Sequence, residues 1–315
     1  MWDLISAIKE LNHERVYRRF LRKHRRQAAL WSSYIEDYYQ GKVPKYWLLP
    51  KKPELVGKRV VWQYWGQSLD RATLPEVTRI SFDSIDSYCR AHQVIRLSDE
   101  TVSDYVDMPP VILEALNSDP YLSRSVYSDL LRLALLEAYG GVWLDATIYL
   151  DRELDPWYWE QDFFVFQRDP EQSHKRDWHR ALPFYCSWDE DFMTNMLSSV
   201  FFAQPGSEVV STLFDLLCYY WQERDPKEKP IMYLFFQVLF DLLVRREEAP
   251  LHHLNCPVRS NADIESLQLM AVGRWPEHFP PVEEVLRDHP IQKLSNRVPH
   301  SVPRLKQILQ EAGRL

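Results

Sequence analysis

Residues 128–147 read SDLLRLALLEAYGGVWLDAT, and this run decides how the rest of the chain is understood. Leu130, Leu131, Leu133, Ala134, Leu135 and Leu136 are strong helix formers with no breaker among them, which predicts a buried helix. Gly140 and Gly141 stop it, because glycine alone enters the positive-φ region without penalty. Val142, Trp143 and Leu144 form a short apolar run of buried-strand type, and it carries Asp145 to the strand's end. A carboxylate leaving an α/β sheet there sits at the usual ligand crevice. Asp129 and Arg132 lie three apart and share one helix face, either as part of that crevice or as a surface ion pair.

Working outward, residues 59–67 form a β-rich run ending at Gly66, and residues 75–91 a helix with Val77, Ile80, Ile85 and Tyr88 inward. Residues 93–97 read as a second strand, and another helix begins at Val111 after Pro109 and Pro110. Strand and helix therefore alternate, the order of an α/β nucleotide-binding half with a mainly parallel sheet. No GxGxxG or P-loop pattern occurs, which removes the dinucleotide and P-loop readings. Residues 163–166 are a further buried strand. Residues 168–191 are polar, with Asp169, Glu171, His174, Lys175, Arg176, Asp177 and His179, and suit either a mobile loop near an acceptor or a plain surface loop. Residues 230–244 and 301–315 read as helices, the latter with Val302, Leu305, Ile308 and Leu309 on one side.

With 315 residues, 45% hydrophobic and 26% charged, the chain has ample length for a buried core. The 12 Trp and 17 Tyr suit a sugar-handling cleft, although most large aromatics serve the core. Cys89, Cys186, Cys218 and Cys256 have no metal or redox spacing, which predicts free thiols in a reducing compartment. No secretory signal and no apolar run of the ~18–20 residues that span a bilayer is visible, so a cytoplasmic location is expected. Residues 15–26 hold seven Lys/Arg and no acid, leaving −14 on the remainder of a chain whose total is −7. An acidic body argues against nucleic acid as a partner. Residues 1–40 read as a helix whose basic face is either solvated, with the helix packed on the body, or attached peripherally to an anionic membrane at the inner face of the plasma membrane.

The run S-D-x-x-R-x-x-x-L-x-x-Y-G-G-V-W-L-D-A-T resembles the core of the capsular polysaccharide synthesis proteins, relatives of the DXD-type sugar transferases that include yeast-type α-mannosyltransferases and the glucosylating clostridial toxins. The resemblance is firm over 58–150, thinner over 185–245 and suggestive near 289–297. It implies a GT-A-like α/β fold at 51–315, with a donor-binding half at 51–165, an acceptor-side helical half at 166–315, and residues 1–50 as a basic helical extension. The implied activity is transfer of a hexose, with retention, from a nucleotide sugar to a capsular, surface-polysaccharide or lipid-linked glycan acceptor. A UDP-sugar is the favoured donor and GDP-mannose the second.

The resemblance also implies site residues. The strand carrying Gln63, Trp65 and Gly66 matches the family's I-H-Q-I-W-G-like pattern, with Trp62 in place of the His; Trp65 stacks on the base or is a core tryptophan. Asp129 and Arg132 would contact ribose and donor sugar, with Gly140 and Gly141 shaping the donor site. Asp145 would bind a divalent cation, Mn²⁺ or Mg²⁺, or sugar hydroxyls; carboxylate oxygens suit such hard ions. Thr147 stands where the DXD relatives carry a second acid, which weakens the cation expectation. Asn195, placed near the start of a helix, would bond a sugar hydroxyl or cap that helix. Lys293, in the closing K-L-S element, would neutralise the leaving diphosphate, and His289 would meet the metal. Two other classes stay open: a noncatalytic carbohydrate- or nucleotide-sugar-binding protein, and a glycoside hydrolase using Asp189, Glu190 or Asp191.

Overall fold

A computed structural model of the protein describes residues 2–254 and 256–315, with side chains from residue 14 onward. Seven strands are found among them: β1 (Val60–Tyr64), β2 (Gln93–Leu97), β3 (Gly141–Leu144), β4 (Ile148–Leu150), β5 (Phe163–Gln167), β6 (Met196–Ala203) and β7 (Ile291–Lys293). The central sheet has the order β2-β1-β3-β6-β5. β1 pairs in parallel with β2 and β3, while β6 runs antiparallel to both β3 and β5, so four of the five strands point the same way. The sheet is mainly parallel, as its helix-linked sequence order requires: parallel neighbours need a crossover, and helix Glu76–Tyr88 supplies the one between β1 and β2.

Both faces of the sheet are covered. Trp62 and Trp143 are paired across β1 and β3 and point into the larger apolar cluster, with helices Arg124–Tyr139 and Glu208–Glu223 above them. Val61, Val142 and Leu144 point the other way, onto Ile85 and Cys89 of helix Glu76–Tyr88. This double burial explains why β1 and β3 are apolar runs rather than alternating ones.

The two glycines between helix Arg124–Tyr139 and β3 have φ of +71° and +103°. A Cβ on Gly141 would lie 2.5 Å from the Val60 carbonyl oxygen, and one on Gly140 would lie 2.6 Å from Pro205 Cδ. The bend thus needs glycine twice over, for backbone conformation and for close approach to β1. After β3 the chain breaks at residues 145–147, and β4 leaves the main sheet to pair antiparallel with β7, Ile148 opposite Lys293. The sequence run past Asp145 is therefore a strand of a second, two-stranded sheet.

Helix Trp2–Tyr39 packs on the body from Tyr17 onward. Ala28 and Trp31 join the main apolar cluster, and Trp31 Nε1 donates to the Phe235 carbonyl at 2.8 Å. His24 Nδ1 accepts from the Met193 amide at 2.9 Å. Arg15, Arg18, Arg19, Arg22, Lys23, Arg25 and Arg26 are all exposed. The polar segment 168–191 contains a helix, Lys175–Ala181, anchored by buried Trp178. Cys89, Cys186, Cys218 and Cys256 are unpaired. No helix among the described residues is long and apolar enough to cross a membrane.

Replacing Gly141 by alanine is expected to lower unfolding stability by at least about 2 kcal/mol, since left-handed strain of ~1–3 kcal/mol adds to the clash with Val60. Chemical denaturation checks it, with Gly313→Ala, whose Cβ meets nothing within 4 Å, showing the cost of positive φ without the clash.

Candidate active site

Helix Arg124–Tyr139 and β3 run back to back through the glycine bend, which sets Asp129 and Arg132 beside the residue that follows β3. Arg132 is 2% exposed and bonds Asp129 through Nη1. Its Nη2 reaches Asp145 Oδ1 at 3.2 Å and Ser128 Oγ at 3.5 Å, and its guanidinium stacks over the Trp143 ring at 5.2 Å. Trp143 Nε1 donates to the same Asp145 oxygen at 2.8 Å. The other oxygen, Oδ2, accepts from Lys293 Nζ at 2.7 Å, and Lys293 also donates to Thr147 Oγ1 at 2.9 Å. Lys293 arrives because β7 pairs with β4. The surface-pair reading of Asp129 and Arg132 fails: the guanidinium is buried and bridges two carboxylates.

The two acids are driven apart electrostatically. Burial raises the Asp129 carboxyl to about 6, aided by the Asp145 charge and resisted by Arg132. Burial pushes Asp145 the same way, but Lys293 and Arg132 outweigh it and hold the carboxyl well below the usual range. Asp145 is therefore an ionised anchor, and Asp129 an acid that changes charge near pH 6.

Trp65 follows β1 as Asp145 follows β3, on neighbouring parallel strands, and its half-buried ring packs with Leu74, Phe82 and Ala146. It is brought beside the Asp145 turn. Six other expected site residues are committed to other contacts. Gln63 is inside the sheet, where Oε1 accepts from Arg96 Nε at 3.0 Å. The position a Gly66 Cβ would take is filled by Tyr64, Arg124 and Asp99. Gly140 and Gly141 sit at the opposite end of β3 from Asp145 and serve the bend. Asn195 precedes strand β6 rather than a helix, and its Nδ2 is committed to the Phe192 carbonyl and Asp241 Oδ1, both at 2.8 Å. His289 precedes the far end of β7, 4.0 Å from Asp263 and beside a cavity of about 360 Å³ lined also by Tyr158 and Arg259. Strand geometry keeps it from sharing a metal with Asp145, because Lys293, not residue 289, occupies the end of β7 next to the carboxylate. Asp189 and Asp191 form an exposed turn, with Asp191 paired to Arg25 at 2.9 Å, so neither faces the cluster.

The donor set also speaks to the cation. Around Asp145 the protein offers its own carboxylate, the Thr147 hydroxyl and the Asp129 carboxylate, and the Lys293 ammonium and Arg132 guanidinium already bond all three. Hard divalent ions want several oxygen ligands and no competing cation. These side chains do not fit a resident divalent ion.

Glu265 escaped the sequence reading. It ends the turn before helix Ser266–Ala271, which docks on β7 where Gln292 Oε1 accepts from the Leu267 amide at 2.8 Å. Burial raises its carboxyl to about 7, while Lys293 and Arg168 pull it down. No motif surrounds it; only the docking of its helix on β7 brings it within the field of Lys293.

The chain belongs to the family of capsular polysaccharide synthesis proteins, which matches residues 14–310. Among solved structures it is similar to the PaToxG glycosyltransferase, with 13% identity over 68% of this chain and 79% of that one and a TM-score of 0.33. None of the curated proteins matches the chain.

Because burial lifts the Glu265 carboxyl above its unfolded value of 4.5, it supports the fold below that pH and withdraws its contribution as pH rises through about 7. Glu137 and Asp215, also raised by burial, add to the same window. Glu265→Gln should therefore flatten the fall in stability between about pH 4.5 and 7 without abolishing it, as read by urea midpoints across that range.

Proposed function

We propose that this family member is a GT-A-like glycosyltransferase that moves a hexose, with retention, from a nucleotide sugar to a surface-polysaccharide or lipid-linked glycan acceptor. A UDP-sugar is the favoured donor, with GDP-mannose second. One observation carries the reading: an ionised carboxylate leaving the strand next to β1 is gripped by a buried guanidinium and an ammonium. Such a crevice, at the carboxyl ends of neighbouring parallel strands, is where α/β sheets bind ligands.

Breaking the sugar–phosphate bond loads negative charge onto the departing diphosphate, and positive charge fixed in advance stabilises it most. An ammonium has three donors. Lys293 spends two on Asp145 and Thr147, and the third is directed to a phosphate oxygen. Arg132 is locked by Asp129, Asp145 and the Trp143 face, so it acts as a stationary charge. Asp145 orients both cations and accepts from a donor-sugar hydroxyl. Trp65 stacks on the base. The exposed basic face of residues 15–26 would hold the enzyme near a lipid-linked acceptor on an anionic membrane, at ~1 kcal/mol per basic residue.

A panel of nucleotide sugars tests the reading through slow donor hydrolysis. Asp145→Ala is expected to abolish the signal and Lys293→Ala to lower kcat on the order of 10²-fold, as for loss of one preorganised charge contact. Asp155→Ala, an exposed residue that caps the helix Pro156–Trp159, should leave it intact. Turnover that persists in Asp145→Ala, or hydrolysis of simple glycosides with no nucleotide present, would refute the transferase.

A further inference from the structure

The proposed transfer uses none of the histidines, yet two of them converge on one carboxylate in a separate part of the fold. His174 and Asp177 come from the start of helix Lys175–Ala181, and His278 comes from the loop before helix Val282–Asp288. One ligand atom from each lies within 4.8 Å of the other two. Asp177 Oδ2 is 3.2 Å from His278 Nε2 and 3.9 Å from His174 Nδ1. Atoms bound at about 2.0–2.1 Å around a tetrahedral zinc are themselves roughly 3.3 Å apart. The Asp177–His278 spacing already matches that geometry, and no other pair needs to close by more than roughly 1.5 Å.

Hydrogen bonding accounts for only half of the arrangement. His278 is close enough to bond Asp177, whereas 3.9 Å is too long for His174. His174 nevertheless holds a left-handed backbone, φ +55°, the one non-glycine case among the described residues, with its ring centroid 5.3 Å from that of His278. Asp177 turns its other oxygen, Oδ1, toward Arg180 at 3.7 Å and leaves Oδ2 to the two imidazoles. Outer partners of this kind orient ligating carboxylates. Trp178, Trp275 and Phe279 pack against one another beside the cluster and make a rigid apolar floor.

We propose that His174, Asp177 and His278 bind a zinc-class divalent cation that clasps helix Lys175–Ala181 to the loop holding His278. Two imidazoles with one carboxylate favour Zn²⁺, Co²⁺ or Ni²⁺ over Mg²⁺ or Ca²⁺, which prefer all-oxygen shells. Three protein ligands leave a fourth position for water. The clasp is structural in its effect: Trp178, on the clasped helix, packs with Ala262 and Leu269 on either side of Glu265 in the chain, so the ion would stiffen the packing around that segment.

The test uses the full-length chain without a histidine tag. Co²⁺ titration should give a visible absorption band saturating at one equivalent, displaced by Zn²⁺, and Zn²⁺ but not Mg²⁺ should raise Tm. His174→Ala and His278→Ala should each lose the band and the Tm shift while keeping the metal-free melting point and the slow donor hydrolysis. If His278→Ala melts low without metal, His174→Ala alone decides. Absence of the band at stoichiometric Co²⁺ would overturn the proposal. So would a band that survives both substitutions, or one lost in Asp145→Asn instead. Because the readout is metal binding, failure here leaves the transferase reading standing, and failure of that reading leaves this one.

Discussion

An ionised carboxylate that is only 24% exposed has to be matched by positive charge, and the architecture around Asp145 is built on that requirement. Leaving a charge uncompensated away from water costs several kcal/mol, and two cations with an indole donor meet the cost here. The same charges cannot serve both acids equally. Asp129 has the closer contact to Arg132 but no ammonium of its own, and burial raises its carboxyl to about 6. Two neighbouring carboxylates thus acquire different protonation habits because Lys293 bonds only one of them.

Bringing those cations together is a matter of chain path. The double-glycine bend folds helix Arg124–Tyr139 back along β3, so residues 13 apart in sequence, Arg132 and Asp145, become bonded neighbours. Lys293 comes from 148 residues away and owes its position to three rungs of β4–β7 pairing. A short two-stranded sheet is marginal by itself. Here helix Ser266–Ala271 braces it through Gln292, whose side chain is wholly buried. The C-terminal portion of the chain is therefore part of the Asp145 cluster rather than an appendage to it. The N-terminal helix is equally bound in, since Trp31 reaches the common apolar cluster while the arginines line its outer face. Family membership over residues 14–310 agrees with that, taking in most of the helix and nearly all that follows it.

What the amino-acid order determined without help is local. Periodicity marked the helix expected at 75–91 and found at Glu76–Tyr88, an unbroken run of helix formers marked the one that ends at Tyr139, apolar runs marked β1, β2, β3 and β5, and paired glycines marked the bend, because each of these follows from side chains a few positions apart. The Asp129, Arg132 and Asp145 constellation was legible for the same reason: helix, bend and strand are contiguous. Trp65 was legible as a residue at a strand's end, and Lys293 only through its resemblance.

Tertiary structure decided the rest. Asn195 looked available until the fold set Asp241 against it, and His289 looked like a ligand until β7 turned it toward Asp263. Glu265, and the meeting of His278 with Asp177 across 101 residues, had no local signature at all. Long-range pairing and burial create such neighbours, and they change a side chain's charge, partners and reach in ways no window of sequence contains.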